Sequence, residues 1–173
     1  MARHDQRFEE AVLPHLDAAY NLARWIMRND ADAEDVVQDA CLRALRFIGG
    51  LRGTDGKVWL LKIVRNTCYS RFARDRRRDH QTEFDEELHS PQIETLDPEA
   101  ILLKSRDGAT INRALDELPD EFREAIVMRE LEGLSYKEIA EVAGVPLGTV
   151  MSRLARARRR LQRVLSAEPR KEP

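Results

Sequence analysis

The residues best suited to do chemistry in this chain are six arginines between Arg153 and Arg163, with no acidic residue among them. A guanidinium group donates paired hydrogen bonds to a guanine edge or to phosphate oxygens, so this cluster is suited to binding nucleic acid. Upstream, Ser135 and Glu138 have the spacing of a helix capping box, and Gly144 suits a left-handed turn. Together these features predict a helix-turn-helix whose second helix enters the major groove of DNA. The alternative is a solvated arginine-rich helix in a plain bundle.

The last predicted helix begins near Gly148 and has two different faces. Its apolar residues recur at helical spacing and predict the packing stripe, which consists of Val150, Leu154, Ala157 and Leu161. The opposite face carries Thr149, Ser152, Arg153 and Arg156, followed by Arg158, Arg159 and Arg160. We expect Arg153 and Arg156 to contact bases and the later arginines to hold phosphates.

A second arginine cluster lies between Arg65 and Arg78, at the end of another predicted helix. That helix begins near Lys57, after a loop that contains four glycines. Its apolar stripe is Leu61, Val64, Cys68 and Phe72. Further upstream, apolar periodicity predicts helices over 8–28 and 31–47. Pro14 marks a kink or the true start of the first helix, and the second is capped by Asn29, Asp30 and Asp32.

Charge divides the chain into three parts. The net charge is only −2, yet residues 81–100 carry seven acids and no lysine or arginine. This segment has Pro91 and Pro98 and lacks apolar periodicity, so it predicts a flexible acidic linker between helical domains at 1–80 and 101–173. In the second domain we expect a helix capped by Asp97 and stopped at Pro119, then another over 120–131. No segment has the pattern of a strand, so the predicted fold is all-α.

Composition and spacing exclude several other classes. No apolar run is long enough to cross a bilayer, and the N-terminus lacks the apolar core of a signal peptide, so we expect a cytoplasmic protein. Cys41 and Cys68 are too few for a disulfide framework and are expected to be core thiols. The glycine-rich loop has neither a GxGxxG nor a Walker motif. The four histidines have no carboxylate or cysteine at the spacing that metal ligands require. We therefore expect no cofactor, no metal and no catalytic residue.

Two ordered sets of motifs resemble those of a bacterial RNA polymerase sigma factor of the extracytoplasmic-function type. The first set is the run from Asp32 to Asp39 with Leu42, followed by Trp59-Leu60, Ile63 and Asn66. The second set is Leu131 to Gly133, Ser135 to Ala140, and Gly148 to Arg158. The resemblance covers nearly the whole chain and implies a region 2-like bundle and a region 4-like helix-turn-helix.

The resemblance also implies roles for individual residues. Core polymerase would be bound by Asp35, Val36, Gln38, Asp39 and Leu42. The minus-10 promoter element would be contacted by Arg52, Lys62, Arg65, Asn66, Arg71 and Arg74. The minus-35 element would be contacted by Pro146, Gly148, Thr149, Ser152, Arg153 and Arg156. In this scheme Asn66 hydrogen-bonds a base that has left the stack, and the glycine-rich loop forms its pocket.

The chain departs from many members of the family at two places. They carry aromatic residues just ahead of the tryptophan, where this chain has Gly56, Lys57 and Val58, so we expect a different specificity at that base. We expect Trp59 itself to be a core or interdomain anchor rather than a stacking platform. Met151 stands where relatives often have arginine, so one contact to a base or phosphate is expected to be missing.

The implied function is transcription initiation without catalysis by the chain itself. The implied partners are the beta-prime clamp helices and the beta flap of core polymerase, promoter DNA and an anti-sigma factor. Two alternatives remain: a sigma mimic that sequesters an anti-sigma factor, and a helix-turn-helix regulator that binds duplex DNA without polymerase. The intact arginine clusters speak against the mimic, which has no need of them.

Overall fold

The computed structural model describes residues 1–53, 55–81 and 106–167. Contacts divide the chain into two units, Met1–Thr95 and Leu96–Pro173. Every regular element among the described residues is helical, which confirms the predicted all-α class. The first unit contains α1 (Ala2–Ala11), α2 (Leu16–Met27), α3 (Asp30–Phe47) and α4 (Lys57–Gln81). The second contains α5 (Arg106–Asp116), α6 (Asp120–Ile126), α7 (Tyr136–Ala143) and α8 (Leu147–Ala167).

The segment 8–28 forms two helices and not one, and of the two alternatives for Pro14 the structure confirms that it marks the true start of the main helix. α1 begins already at Ala2 and ends at Ala11, and a 3-10 turn over Leu13–His15 separates it from α2. Pro14 lies in that turn. A proline lacks the amide hydrogen that a continuous helix needs, and its ring clashes with the preceding turn. The chain therefore changes direction here.

The first unit is built around α3, which packs against both α2 and α4. α3 starts at an Asn29 cap, whose side chain accepts a 3.0 Å hydrogen bond from the Asp32 amide. Its buried side is made almost entirely of small residues, which let the neighbouring helices approach closely. These residues are Ala33, Val36, Ala40 and Ala44, all with 0% exposure.

Gly56 fixes how α4 approaches the end of α1. A Cβ atom at this position would lie 2.0 Å from the carbonyl oxygen of Ala11, far inside van der Waals contact. The same glycine accepts the Leu60 amide at 2.8 Å and so opens the first turn of α4. The other described glycines of this loop have no atom near enough to exclude a methyl group. Only Gly56 is required here by space.

The second unit is a bundle in which α5 and α6 pack against α8. Arg123 of α6 is only 1% exposed. It donates a 3.0 Å hydrogen bond to the Leu118 carbonyl and forms an ion pair with Asp120. The predicted helix over 120–131 is α6 followed by a π-helical turn, Val127–Leu131. The buried arginine thus ties the start of α6 to the turn before it.

Two predictions concern residues that the structure does not describe. Of the two predicted core thiols, Cys68 is confirmed and Cys41 is not. The acidic linker over 81–100 and the helix start at Asp97 and Pro98 lie outside the described residues, apart from the backbone of Gln81. Cys68 is a fully buried core thiol, as predicted. Cys41 is only partly buried on α3, because the small side of that helix turns away from it, and this burial raises the pKa of its thiol.

Candidate nucleic-acid interface

The helix-turn-helix is formed by α7, the turn at Gly144 and α8. Ser135 accepts the Glu138 amide at 3.1 Å, and Glu138 accepts the Ser135 amide at 2.8 Å, which confirms the capping box. Gly144 adopts φ +65, the left-handed conformation in which glycine is not strained. The Thr149 amide bonds to the Pro146 carbonyl at 3.0 Å, which opens the first turn of α8. Local sequence chemistry alone fixes this geometry.

α8 presents one face to its own unit and another to solvent. Val150, Leu154 and Ala157 are at most 1% exposed and pack inward. Most of the predicted minus-35 residues lie on the open side, since Pro146, Gly148, Ser152 and Arg156 are exposed and Thr149 is half-buried. These predicted contact residues are therefore accessible on the surface of the second unit.

Arg153, unlike the other predicted minus-35 residues, is held against its own unit. Its side chain is only 16% exposed, and its Nη2 atom lies 3.5 Å from Glu121 Oε1 of α6. The guanidinium is therefore turned toward its own unit, where a carboxylate balances its charge. The structure favours an anchoring role for Arg153 over the predicted contact to bases.

The later arginines of α8 also differ from one another. Arg158 lies 3.3 Å from Glu130 and 3.4 Å from the Tyr136 hydroxyl, and its hydrogen bond lowers the pKa of that hydroxyl. Arg160 lies over the Phe122 ring at 5.2 Å. Arg156, Arg159 and Arg163 are exposed and have no such partner among the described residues. These three carry the free positive charge of the helix.

An apolar ridge was missed when the sequence was considered alone. Leu147 is 40% exposed and Met151 is 52% exposed, and Ala155 is exposed one turn further along α8. Positions i, i+4 and i+8 line up on one side of a helix. The ridge therefore borders the open side that carries Ser152 and Arg156. The spacing of these residues contains the signal, but the buried stripe of the same helix has a similar spacing, so spacing alone does not distinguish the two.

α4 carries most of the residues predicted to meet the minus-10 element. Lys62, Asn66 and Arg74 are exposed, as is Arg52 in the preceding loop. The guanidinium of Arg65 lies over the Tyr69 ring at 4.4 Å from its centroid. This cation–π contact joins two positions that are one turn apart on α4.

Arg71 is held within its own unit. Its Nη2 lies 2.9 Å from Asp32 Oδ1, and its Nη1 lies 3.5 Å from Asp35 Oδ2, both on α3. Its side chain is 21% exposed. Because two carboxylates offset its charge, the structure favours a role in joining α3 to α4 over the predicted contact with the DNA backbone.

Trp59 is half-buried at the start of α4. It is therefore not a fully buried core residue of the first unit, and its role as an interdomain anchor stays a prediction. Ile63, one turn along, is half-buried as well, and Asn66 follows on the same side. A partly open row of an aromatic, an aliphatic and an amide side chain results, and it begins next to the glycine-rich loop.

The residues of α3 predicted to bind polymerase separate into an open and a buried group. Asp35, Gln38 and Asp39 are exposed, and Leu42 is 67% exposed. Val36 is 0% exposed and packs in the core, so it cannot touch a partner. Its prediction as a contact residue is wrong, because its spacing from Ala33 and Ala40 places it on the buried side. Sequence reasoning missed Leu45 and Phe47, which are 41% and 60% exposed at the end of the same helix.

Membrane-spanning helices and metal-binding clusters are both absent from the described ranges. In 1–53, 55–81 and 106–167, no helix is long and apolar enough to cross a membrane. Within the same ranges, no three histidine, cysteine or acidic residues are grouped so that they could hold a metal ion.

Two protein families match the chain, one in each unit. Sigma-70 region 2 matches residues 11–78, and Sigma-70, region 4 matches residues 109–161. The first match includes α2, α3 and most of α4. The second includes the helix-turn-helix and ends within α8.

Curated relatives are similar over nearly the whole chain. The ECF RNA polymerase sigma factor SigE of Mycolicibacterium smegmatis is 38% identical over 159 residues, which cover 92% of this chain and 62% of that protein. The RNA polymerase sigma-H factor of Pseudomonas aeruginosa is 35% identical over 173 residues, which cover 94% of this chain and 89% of that protein. The chain thus spans less than two thirds of the mycobacterial relative.

Solved structures are also similar. The sigma factor RpoE of Bartonella quintana, in complex with the anti-sigma factor NepR, has a TM-score of 0.70 at 31% identity and covers 91% of this chain and 96% of its own. CnrH, in complex with the cytosolic domain of CnrY, has a TM-score of 0.63 at 24% identity and covers 96% of both chains. The second likeness concerns the fold alone.

Proposed function

The chain belongs to the extracytoplasmic-function family of RNA polymerase sigma factors, and on that premise we propose that it binds bacterial core polymerase, directs it to specific promoters and initiates transcription. The observation that carries the proposal is the open side of α8, where Ser152, Arg156 and Arg159 are exposed at the end of a capped helix-turn-helix. Synthesis of RNA belongs to the polymerase. The proposed division of labour is region 2 over 1–80, a linker over 81–100 and region 4 over 101–173.

Core polymerase binds the open side of α3 in this proposal. Asp35, Gln38 and Asp39 offer charge and hydrogen bonds to the beta-prime clamp helices, and Leu42 offers an apolar contact between them. Charged groups steer the encounter, whereas the desolvated apolar side chain adds affinity. We add Phe47, which is 60% exposed on the same helix. The second unit meets the beta flap.

The minus-10 element is contacted by α4 and the loop before it. Lys62, Arg74 and Arg52 hold the strand backbone, since all three are exposed cations. Asn66 hydrogen-bonds a base that has left the stack, which costs a few kcal/mol and needs a receiving surface on the protein. The half-buried Trp59 beside it supports such a surface. Arg65 contributes through its ring contact, and Arg71 contributes by holding α4 against α3.

The minus-35 element is contacted by the N-terminal half of α8. Arg156 donates to a guanine edge, and Ser152 donates to or accepts from a neighbouring base. The segment from Pro146 to Thr149 approaches the phosphate backbone, where the amides of Leu147 and Gly148 at the helix start favour an anion. Arg159 and Arg163 hold phosphates further along the helix.

Control by an anti-sigma factor is proposed from the relatives. RpoE of Bartonella quintana was solved with the anti-sigma factor NepR. The exposed apolar residues of α3 and α8 offer surface that such a partner could cover. Since core polymerase and promoter DNA are both cytoplasmic in bacteria, the proposed function places the chain there, at the nucleoid when bound to polymerase.

Reconstituted transcription with the full chain and bacterial core polymerase tests the proposal. We expect promoter-dependent transcripts whose start sites share two upstream elements. Leu42→Asp is expected to abolish the complex with core, whereas Leu13→Asp, at a residue 44% exposed outside α3, is expected to retain it. Saturating chain that gives neither a complex nor a transcript would exclude a sigma factor. Specific duplex binding without polymerase would then favour the helix-turn-helix regulator, and binding of an anti-sigma factor alone would favour the mimic.

A further inference from the structure

The apolar ridge of α8, consisting of Leu147, Met151 and Ala155, lies between the buried stripe of the helix and its open side. Met151 is 52% exposed and Leu147 is 40% exposed, whereas Val150 and Leu154 between them are 1% exposed. Both large side chains therefore keep much of their apolar surface in water, where it is unfavourable. The ridge is placed for a contact outside its own unit.

The charge around the ridge indicates the chemistry of its partner. Arg156, Arg159 and Arg163 are exposed, and none has an ion-pair partner among the described residues. No acidic residue occurs between Arg153 and Arg163. The surface is thus an apolar strip with uncompensated positive charge on its open side, whereas Arg158, further along the strip, pairs with Glu130. Such a surface fits an anionic partner that also presents small apolar groups.

Duplex DNA presents such groups in its major groove. The C5-methyl of thymine is the apolar feature on the base edges there, and apolar side chains contact it. Leu147 and Met151 are separated by one helical turn, about 6 Å along the axis. This is roughly two base-pair steps of about 3.4 Å each. One or two neighbouring base pairs can therefore meet the ridge while Arg156 reaches another.

We propose that Met151, supported by Leu147, determines specificity at the minus-35 element by contacting the C5-methyl group of a thymine. The inference rests on the proposed function, and it names the base that the second unit prefers at this position. Met151 therefore makes a contact of its own, where the sequence alone suggested only a lost arginine contact. The flexible thioether side chain can follow the groove without a fixed rotamer.

The test removes the methyl group from the DNA and the side chain from the protein. Start-site mapping first gives the promoter used by the reconstituted polymerase complex. Each thymine of its minus-35 element, on either strand, is then replaced singly by deoxyuridine, which lacks only that methyl. Affinity is measured for the complex formed with the wild-type chain, with Met151→Ala, and with Leu165→Ala, an exposed residue on the same helix outside the ridge.

We expect deoxyuridine to weaken wild-type binding about four-fold at one position, the value for loss of one buried methyl group. Met151→Ala is expected to bind both templates equally, Leu165→Ala to retain the four-fold difference, and Met151→Leu to retain most of it. The inference is overturned if Met151→Ala still distinguishes the two templates, if no thymine matters to the wild type, or if the element lacks an A·T pair. Absence of any promoter-dependent complex would instead count against the proposed function.

Discussion

Replacement of Gly56 by alanine is expected to destabilise the first unit strongly. The new Cβ would lie 2.0 Å from the Ala11 carbonyl oxygen and 2.8 Å from its carbonyl carbon. Both are backbone atoms, so no side-chain rotation can relieve the overlap, and α1 and α4 must move apart. Such overpacking costs about 1 to 3 kcal/mol, and a rigid neighbour favours the upper end. Alanine also restricts the unfolded chain more than glycine does, and this effect stabilises the folded unit by about 0.4 to 1 kcal/mol.

A net loss of about 2 kcal/mol follows for Gly56→Ala. With an m-value of about 1 kcal/mol/M in urea, the midpoint of unfolding falls by about 2 M. The corresponding fall in Tm for a unit of this size is about 8 to 16 °C. The free energy of unfolding of a small protein is only about 0.05 to 0.15 kcal/mol per residue, so a loss of this size is a large part of the stability of the first unit.

Tryptophan fluorescence measures this unit by itself. The chain has two tryptophans, Trp25 and Trp59, and both lie in the first unit. Urea unfolding followed by their emission therefore reports the effect of Gly56→Ala without a contribution from the helix-turn-helix. The matched control is Gly50→Ala in the same loop, where an added Cβ meets no atom within 4 Å.

The two variants separate close packing from the general effect of losing a glycine. Gly50→Ala is expected to keep the wild-type midpoint or to raise it slightly. Equal midpoints for Gly56→Ala and the wild type would refute the reasoning, because they would mean that α1 and α4 do not need this close approach. Equal losses in both alanine variants would refute it as well, since the loop and not the contact would then be responsible.

Three other predictions concern the two units separately. Arg156→Ala is expected to weaken binding of the polymerase complex to a minus-35 element by about 1 to 3 kcal/mol. Arg153→Ala is expected to lower the stability of the second unit by about 1 kcal/mol or less. Equal losses of promoter affinity in the two variants would contradict the anchoring role of Arg153. Ser135→Ala removes the cap of α7 and is expected to lower the thermal stability of the second unit by about 1 kcal/mol, measured by the helical circular dichroism signal; an unchanged melting curve would contradict a stabilising cap. Arg71→Ala and Asp32→Ala are expected to show a coupling of about 0.2 to 1 kcal/mol in a double-mutant cycle of urea unfolding, and strictly additive losses would argue that the 2.9 Å ion pair does not join α3 to α4.

Local chemistry made the helix-turn-helix predictable from the sequence. Ser135 and Glu138 are three residues apart, and Gly144 follows the helix that they open, so every partner lies within a short segment. Hydrogen bonds of this kind depend on the immediate sequence and form in the same way in many proteins. The inward stripe of α8 was predictable for the same reason, since helical spacing alone determines it.

Contacts between distant segments were not predictable. Arg153 pairs with Glu121, and Arg71 pairs with Asp32, across 32 and 39 residues respectively. Nothing in the local pattern distinguishes a paired arginine from a free one. Val36 was misplaced for a different reason, because its neighbours on the buried side of α3 are alanines, which give only a weak apolar signal. The spacing was correct, but the small side chains concealed it.

The small buried side of α3 affects which substitutions the helix can accept during evolution. Ala33, Ala40 and Ala44 admit almost no larger residue, because the adjacent helices lie directly against them. The opposite side, with Asp35, Gln38, Asp39 and Leu42, shares none of these positions, and substitutions on open surface typically change stability by about 0.5 kcal/mol or less. A new binding preference can therefore arise on one side of this helix by single substitutions, without compensating changes on the other side.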